Sequence, residues 1–194
     1  MPTRICIFCG SSVGRRPAYA ASAISLAKYL ASKRIGIIYG GSNAGLMGTL
    51  ADAALEARGE VIGVMPQVLV AKEVAHTGLT DLRIVSSMHE RKALMAELAN
   101  AFIALPGGYG TFEEFCEVLT WTQIGIQRKP CGLLNVEGYY DALLKMFDHA
   151  VEEKFLKLAH RQMVLSDSQP EPLVDRLLTH QTPLEEKWLD LKES

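Results

Sequence analysis

Short apolar runs alternate along the chain with longer segments in which apolar residues recur at helical spacing. The first pattern is typical of buried strands and the second of amphipathic helices. The runs predict strands at residues 4–9, 35–39, 61–64, 82–85, 101–105, 131–134 and 163–165. The periodic segments predict helices over residues 17–32, 46–58, 88–100, 139–154 and 173–179, with a further helix opened by the turn that follows residue 105. Strands apolar on both faces that alternate with helices indicate a three-layer α/β/α fold, in which helices cover both sides of a mostly parallel sheet.

Two glycine-rich turns follow buried strands, one after Tyr39 and one after Leu105. Ligands of open parallel sheets bind beyond the carboxyl ends of the strands, so both turns are candidate binding loops. The first turn covers residues 40–48 and matches neither a Walker loop nor a dinucleotide fingerprint. Its glycines allow a ligand to approach the backbone closely, whereas a tight turn with close helix packing is the alternative. The candidate contacts in this turn are Gly40, Gly41 and Gly45.

The second turn, residues 106–114, opens a helix directly after a buried strand. Its backbone N–H groups are therefore expected to point towards the ligand crevice. Thr111 and Glu114 have the spacing of a capping box, in which Glu114 would bond the backbone N–H of Thr111. The alternative is a catalytic carboxylate, because Glu113 and Glu114 beside a phosphate loop would otherwise only repel a bound anion. Spacing alone leaves both interpretations open.

A basic pair, Arg91 and Lys92, follows another capping-box pattern formed by Ser87 and Glu90. The box places both cations in the first turn of a helix, where they oppose the helix dipole at a cost of about 0.3–1 kcal/mol each. Arg91 also lies on the helix stripe that is expected to face inward. This arrangement indicates contact with an anionic ligand, and a structural ion pair between Arg91 and an internal carboxylate such as Glu114 is the alternative.

Composition and charge argue against several classes of function. The chain has 194 residues, with 20 Lys and Arg against 22 Asp and Glu, and this balance gives no basic field for nucleic acid or an anionic membrane. Four cysteines without framework spacing favour the reducing cytoplasm, and neither a signal peptide nor a membrane span is evident. The histidines lack metal-ligand spacing and no serine lies in a nucleophile elbow, so we expect no metal and no cofactor. We expect one domain over residues 1–180 and a tail over residues 181–194.

Three blocks of the sequence occur in a combination that is specific to one family. Residues 106–114, PGGYGTFEE, match the signature PGGxGTxxE, and residues 88–92, MHERK, and the turn at residues 40–48 stand at the expected places around it. In these blocks the chain resembles the LONELY GUY family of phosphoribohydrolases, and the likeness runs over residues 5–178. Ser42 stands where many relatives carry a third glycine.

The resemblance implies a Rossmann-like homodimer that hydrolyses the N-glycosidic bond of cytokinin riboside 5'-monophosphates to the free base and ribose 5-phosphate, with AMP as a further substrate. From their charges we expect Arg91 to hold Glu114 ionised, and the resemblance implies that these two residues are the catalytic pair. The substrate- and phosphate-binding residues that it implies are Glu73, Lys92, Gly107, Gly108, Tyr109, Gly110, Thr111, Glu113 and Thr120.

Three other functions remain to be weighed against this one. Proteins of this kind have been described as lysine decarboxylases, but no pyridoxal-type lysine site is apparent in the sequence. A carrier of this fold would bind a phosphorylated nucleotide or cofactor without cleaving it, and would need no Arg91–Glu114 pair. An enzyme acting on another phosphoribosyl compound would break the same bond beside a different base.

Overall fold

The computed structural model describes residues 3–70 and 75–180. Within them, seven strands form one sheet in the order β4-β3-β2-β1-β5-β6-β7, and every neighbouring pair is parallel. The strands are β1 (Arg4–Phe8), β2 (Gly36–Tyr39), β3 (Val61–Pro66), β4 (Asp81–Val85), β5 (Ala101–Ala104), β6 (Cys131–Leu134) and β7 (Val164–Asp167). The apolar runs therefore identified the strands correctly, and the predicted α/β class with a parallel sheet is confirmed.

Helices connect the strands at the positions that the periodic segments predict, with ends shifted by up to a few residues. They are α1 (Pro17–Ser32), α2 (Gly45–Glu56), α3 (Gln67–Val70), α4 (Met88–Leu98), α5 (Tyr109–Gln123), α6 (Asp141–Glu152), α7 (Leu158–Arg161) and α8 (Pro170–Thr179). A short 3-10 turn, Val136–Gly138, precedes α6. The sequence pattern did not predict α3 and α7, which have four residues each and are too short for periodicity to reveal.

Alternate residues of each strand enter two separate cores, one on each face of the sheet. In β1, Ile5 and Ile7 pack with the helices α1, α2 and α8, whereas Cys6 and Phe8 pack with α4 and α5. Cys9 lies in the first of these cores, so Cys6 and Cys9 face opposite sides of the sheet, as their strand spacing predicts. The two cores confirm the three-layer arrangement.

Strand order reverses at the boundary between β1 and β5. From β1 the chain builds outward through β2, β3 and β4, and from β5 it builds outward in the other direction. Connections on the two sides of such a boundary diverge and leave a crevice beyond the carboxyl ends of the two strands. The loops that follow β1 and β5 therefore form the walls of the expected binding crevice.

Two predictions concern residues outside the described part of the chain. The tail over residues 181–194 is one, and the division into a domain over residues 1–180 and this tail stays a prediction. Glu73, which the resemblance implies as a substrate contact, is the other. Among the described residues, no helix combines the length and apolar character that a membrane crossing needs.

Candidate active site

A cavity of about 240 Å³ opens at the carboxyl ends of β1 and β5. Residues 9–11 of the loop after β1 form one wall, and Met47 of α2 contributes to it. The other wall is the start of α5, residues 108–111, and the side chains of Arg91 and Glu114 complete the lining. The strand order thus brings together Arg91 and Glu114, which were both predicted to act in catalysis.

Helix α5 begins earlier than the capping-box spacing predicts. Its N-cap is Gly108, which provides no side-chain cap, and Tyr109 is the first helical residue. Thr111 is therefore the third residue of the helix instead of its cap, and the capping-box interpretation of Glu114 is wrong. The N–H groups of the first helical turn have no partner within the helix, and the residues that carry them line the cavity.

Gly108 and Gly110 both face open space, so packing within the protein does not explain why these two residues are glycines. A Cβ atom built at either residue meets no protein atom within 4 Å. Gly107 is different, because a Cβ atom there would collide with Thr111 and lie 2.9 Å from the amide nitrogen of Gly10. The absence of side chains at Gly108 and Gly110 therefore leaves the helix start open to a ligand, which fits the predicted phosphate-binding loop.

Arg91 is a buried cation, with 7% of its surface exposed. Ser87 caps α4 by accepting a hydrogen bond from the Glu90 amide at 3.1 Å, as the sequence predicts, and this places Arg91 one residue further along the first turn. Its Nη2 donates to the Gly40 carbonyl at 3.4 Å, while its Nε is buried without a hydrogen-bond partner. Arg91 forms no ion pair with a carboxylate of residues 3–70 or 75–180. A buried cation that lacks a carboxylate partner among these residues favours binding of an anion in the cavity.

Glu114 lies one helical turn beyond the open amides, on the same side of α5. Burial raises the pKa of this carboxyl group to about 7, although the charge of Arg91 acts to lower it and that of Glu113 acts to raise it. Its carboxylate accepts no hydrogen bond from any residue that the structure describes. Arg91 therefore lowers the pKa without keeping Glu114 fully ionised at neutral pH, and this is a correction to the predicted role.

Lys92 and Glu113 lie beside the cavity without lining it. The Lys92 ammonium bonds the carboxylates of Glu113 and Glu117, the latter at 3.0 Å. Burial acts to lower the pKa of Lys92, but the hydrogen bonds that its ammonium donates to both glutamates outweigh this effect and raise the pKa. These ion pairs connect α4 with α5, the two helices that carry Arg91 and Glu114. A direct contact of Lys92 or Glu113 with substrate stays a prediction.

The glycines of the first turn contact protein atoms and do not line the cavity. A Cβ atom at Gly40 would collide with the Arg91 guanidinium, and one at Gly45 would collide with the backbone of Ser11. Gly41 has φ +84° and Gly45 φ +57°, values that favour glycine. The turn thus holds Arg91 and the loop after β1 in place. Ligand contact by its glycines stays a prediction, and close packing accounts for them.

Thr120 lies away from the cavity, on the exposed side of α5. Its hydroxyl donates to the Cys116 carbonyl at 2.8 Å. The side chain lines a separate apolar groove of about 260 Å³ between α5, α6 and α7, together with Phe147 and Phe155. This position does not support the predicted contact between Thr120 and a substrate bound in the cavity of the same subunit.

Sequence reasoning missed the loop after β1 as part of the site. Residues 9–11 line the cavity, and Gly10 and Ser11 also line a second cavity of about 250 Å³ next to it, which contains Tyr19 and Tyr139. The glycine and serine residues at positions 10–14 are typical of a binding loop. Their position at the site became evident only when β1 was found to lie beside β5.

Comparisons with known proteins agree on one family. A family profile described as "possible lysine decarboxylase" matches residues 47–177. A probable cytokinin riboside 5'-monophosphate phosphoribohydrolase of Oryza sativa subsp. japonica is 49% identical over 174 residues, which cover 90% of this chain and 77% of that protein. A cytokinin riboside 5'-monophosphate phosphoribohydrolase of Arabidopsis thaliana is 46% identical over 183 residues, which cover 94% of this chain and 84% of that protein.

Solved structures of similar shape share the fold at low sequence identity. The molybdenum cofactor carrier protein of Chlamydomonas reinhardtii superposes with a TM-score of 0.72 at 20% identity, covering 93% of this chain and 100% of its own. The molybdenum cofactor binding protein of Rippkaea orientalis superposes with a TM-score of 0.68 at 19% identity, covering 92% of this chain and 99% of its own. At these identities the similarity supports the fold alone.

Proposed function

Because the chain belongs to the LONELY GUY family of cytokinin riboside 5'-monophosphate phosphoribohydrolases, we propose that it hydrolyses the N-glycosidic bond of these nucleotides. The products are the free base and ribose 5-phosphate, and AMP is the second candidate substrate. One observation on the structure of this chain supports the proposal independently of the family name. Arg91 and Glu114 line the same cavity as the open N-terminus of α5.

The reaction requires a negative charge near the anomeric carbon. As the C1'–N9 bond breaks, its electron pair leaves with the base and the ribose develops positive charge, which a nearby carboxylate stabilises. Water then adds its oxygen to C1', and the departing base takes up a proton, so that one water molecule is divided between the two products. In the proposed mechanism Glu114 stabilises the ribosyl cation in its ionised form and accepts the proton of the attacking water. Its pKa of about 7 is suited to accepting a proton near neutral pH.

The geometry of α5 suits a ribose 5-phosphate. Thr111 and Glu114 are three residues apart, so they share a helix face and are separated by about 4.5 Å along the axis. The amides of residues 108–111 would bind the phosphate, and the positive end of the helix dipole would add to this binding. The sugar would then extend towards the Glu114 carboxylate. Arg91 would contact the substrate through its unpaired Nε and hold the phosphate or ribose hydroxyls.

The open position of Gly110 gives the first prediction. Gly110→Ala is expected to keep or raise the melting temperature, because alanine is favoured over glycine by up to about 1 kcal/mol within a helix. The added methyl group extends into open space beside the helix start, so KM for a nucleoside monophosphate is expected to rise by about tenfold or more. Thermal unfolding and steady-state kinetics measure the two effects. An unchanged KM would exclude close approach of the substrate to Gly110.

The description of the family profile as lysine decarboxylase has no support in the site. Lysine-dependent catalysis through a Schiff base needs an uncharged amine in the cavity. Lys92 has a raised pKa between two glutamates, and the Lys129 ammonium donates to the carbonyls of Ala96 and Glu97. Neither lysine lines the cavity that contains Arg91 and Glu114.

One assay separates the proposed activity from the alternatives. The protein is incubated with N6-isopentenyladenosine 5'-monophosphate and with AMP, and the corresponding ribosides serve as controls. Release of free base from a monophosphate but not from its riboside supports the proposal. Tight binding without release of base favours a carrier. Release of neither base and no binding would direct the search to another phosphoribosyl compound.

A homodimer is proposed as the assembly, on the basis of the resemblance. Helix α6 supports it, because its apolar residues Leu143, Leu144 and Phe147 are only partly buried in the single chain and Met146 is 61% exposed. Phe155 and Leu158, near the groove beside α6, are 87% and 60% exposed. Light scattering is expected to give twice the mass of one chain, and a monomer at micromolar concentration would contradict this.

We also propose a cytoplasmic location, which the four unpaired cysteines support.

A further inference from the structure

The loop between β5 and α5 has three successive carbonyl oxygens that are each bonded to a protein donor. The bonds run from Tyr140 Oη to Leu105 O (2.6 Å), from Gly10 N to Pro106 O (3.1 Å) and from Tyr139 Oη to Gly107 O (2.5 Å). A carbonyl oxygen carries partial negative charge and would repel a phosphate that is bound nearby. Bonding of all three therefore directs the negative ends of these peptides into the protein and away from the cavity.

The bond from Tyr139 has an effect that the bond from Tyr140 lacks. A peptide unit is planar, and in its trans form the carbonyl oxygen and the N–H of the next residue point in opposite directions. The peptide after Gly107 carries the N–H of Gly108, which lines the cavity. The peptide after Leu105 carries no N–H, because the next residue is Pro106. Of the two tyrosines, only Tyr139 can therefore set the direction of an N–H group.

This peptide needs an external constraint, because it joins two glycines. Glycine adopts positive and negative φ with similar ease, so a peptide between two glycines can rotate at little steric cost. A Cβ atom at Gly108 would have no protein neighbour within 4 Å, so packing on that side does not hold the peptide. Rotation would turn the Gly107 carbonyl away from Tyr139 and towards the ligand.

Tyr139 itself is held firmly enough to act as this constraint. Its ring packs against Tyr19 at 5.6 Å and against Tyr140 at 5.1 Å between ring centroids. The turn before it is bound to the segment after β1 by the ion pair between Arg16 and Glu137 at 2.7 Å. The ring contacts with Tyr19 and Tyr140 thus hold the hydroxyl of Tyr139 beside the loop that follows β5.

We propose that Tyr139 is a positioning residue for phosphate recognition, which its hydroxyl supports by keeping the N–H of Gly108 directed at the phosphate. This inference rests on the proposed function, in which the loop binds the phosphate of the substrate. A hydrogen bond to a peptide carbonyl also polarises the peptide and strengthens its N–H as a donor. The role is specific to phosphate, since the base and the ribose hydroxyls do not depend on this N–H.

The test compares Tyr139→Phe with Tyr140→Phe. Both variants remove one hydroxyl that bonds a carbonyl of the same loop and keep the aromatic ring, but only the first releases a peptide that carries an N–H. Binding of ribose 5-phosphate is measured by calorimetry for both variants and for the unchanged protein. Tyr139→Phe is expected to weaken binding by about five- to tenfold, and Tyr140→Phe is expected to lower the melting temperature without weakening binding.

Kinetics give a second readout that a merely structural role would not change. In Tyr139→Phe we expect KM for the nucleoside monophosphate to rise by a similar factor with kcat nearly unchanged. Equal ribose 5-phosphate affinities in the unchanged protein and in Tyr139→Phe would overturn the inference, as would equal weakening in both variants or no binding to the unchanged protein. Failure of the unchanged protein to hydrolyse any monophosphate would overturn the proposed function, while the binding measurements would still decide the role of Tyr139.

Discussion

Replacement of Glu114 by glutamine is expected to lower kcat by about 10²–10³-fold or more, because the side chain keeps its shape but loses the charge that stabilises the ribosyl cation. The substitution also removes the group that accepts the proton of the attacking water. Binding of ribose 5-phosphate should persist, since the amides at the start of α5 remain. Release of base from N6-isopentenyladenosine 5'-monophosphate measures the effect on turnover.

The same substitution is expected to stabilise the folded protein at alkaline pH. Burial raises the pKa of Glu114 in the folded state to about 7, above its ordinary value of 4.5. Its contribution to stability is therefore fully present below pH 4.5 and is lost as the pH rises through 7. Glutamine does not ionise, so Glu114→Gln should exceed the unchanged protein in free energy of unfolding by about 1–3 kcal/mol at pH 8. The difference should vanish at pH 4.5.

Glu117→Gln provides the matched control. Glu117 lies on the same helix and pairs with Lys92 at 3.0 Å, but it does not line the cavity. This variant should keep turnover and should not show the gain in stability at pH 8. A Glu114→Gln enzyme that retains normal turnover would remove the proposed mechanism. A stability difference that is the same at pH 4.5 and pH 8 would contradict the raised pKa.

Replacement of Arg91 by methionine is expected to lower kcat/KM by about 10³-fold, with little or no loss of stability. In the described residues the guanidinium has no carboxylate partner and its Nε is buried and unbonded. Removing such a charge from the empty site relieves its desolvation without breaking an ion pair. If Arg91 served a structural ion pair instead, its loss would destabilise the fold by about 3–5 kcal/mol. Denaturant unfolding and kinetics together distinguish the two roles.

The pH dependence of Arg91→Met supplies an independent check. The charge of Arg91 acts to lower the pKa of Glu114, so its removal should raise that pKa further. The acidic limb of the kcat profile should then move to higher pH. Arg4→Met is the control, because Arg4 forms an ion pair with Glu60 at 2.7 Å far from the cavity. Arg4→Met should lower the free energy of unfolding and keep turnover, whereas Arg91→Met should lower turnover and keep the free energy of unfolding.

The sequence predicted the sheet well because strand formation leaves a local signal. The runs that became β1, β2 and β5 are apolar at nearly every position, since both faces of the sheet are covered by helices. The glycine-rich turn before α5 and the basic pair on α4 were also visible in the sequence. The pairing of Arg91 with Glu114 in one site was expected from the resemblance and is supported by the cavity that both residues line.

What the sequence did not predict depends on contacts between distant segments. The loop after β1 became part of the site because β1 lies beside β5 in the sheet, and strand order is not encoded in any local pattern. The spacing of Thr111 and Glu114 suggested a capping box, but the helix begins at Tyr109, with Gly108 as its N-cap and Gly107 packed closely against Thr111 and Gly10. The glycines at positions 40 and 45 resembled ligand contacts, whereas their neighbours are Arg91 and Ser11.

The adjacency of β1 and β5 also has a consequence for how the protein matures. Ile5 pairs with Ala101, so this seam joins segments that are far apart in the chain, and its closure carries the entropy cost of closing a large loop. The cavity spans the seam, with Cys9 and Gly10 on one side and Glu114 on the other. A chain arrested before the seam closes can therefore contain much of its helix and strand content while having no catalytic capacity. Recovery of turnover during refolding consequently reports closure of the seam between β1 and β5.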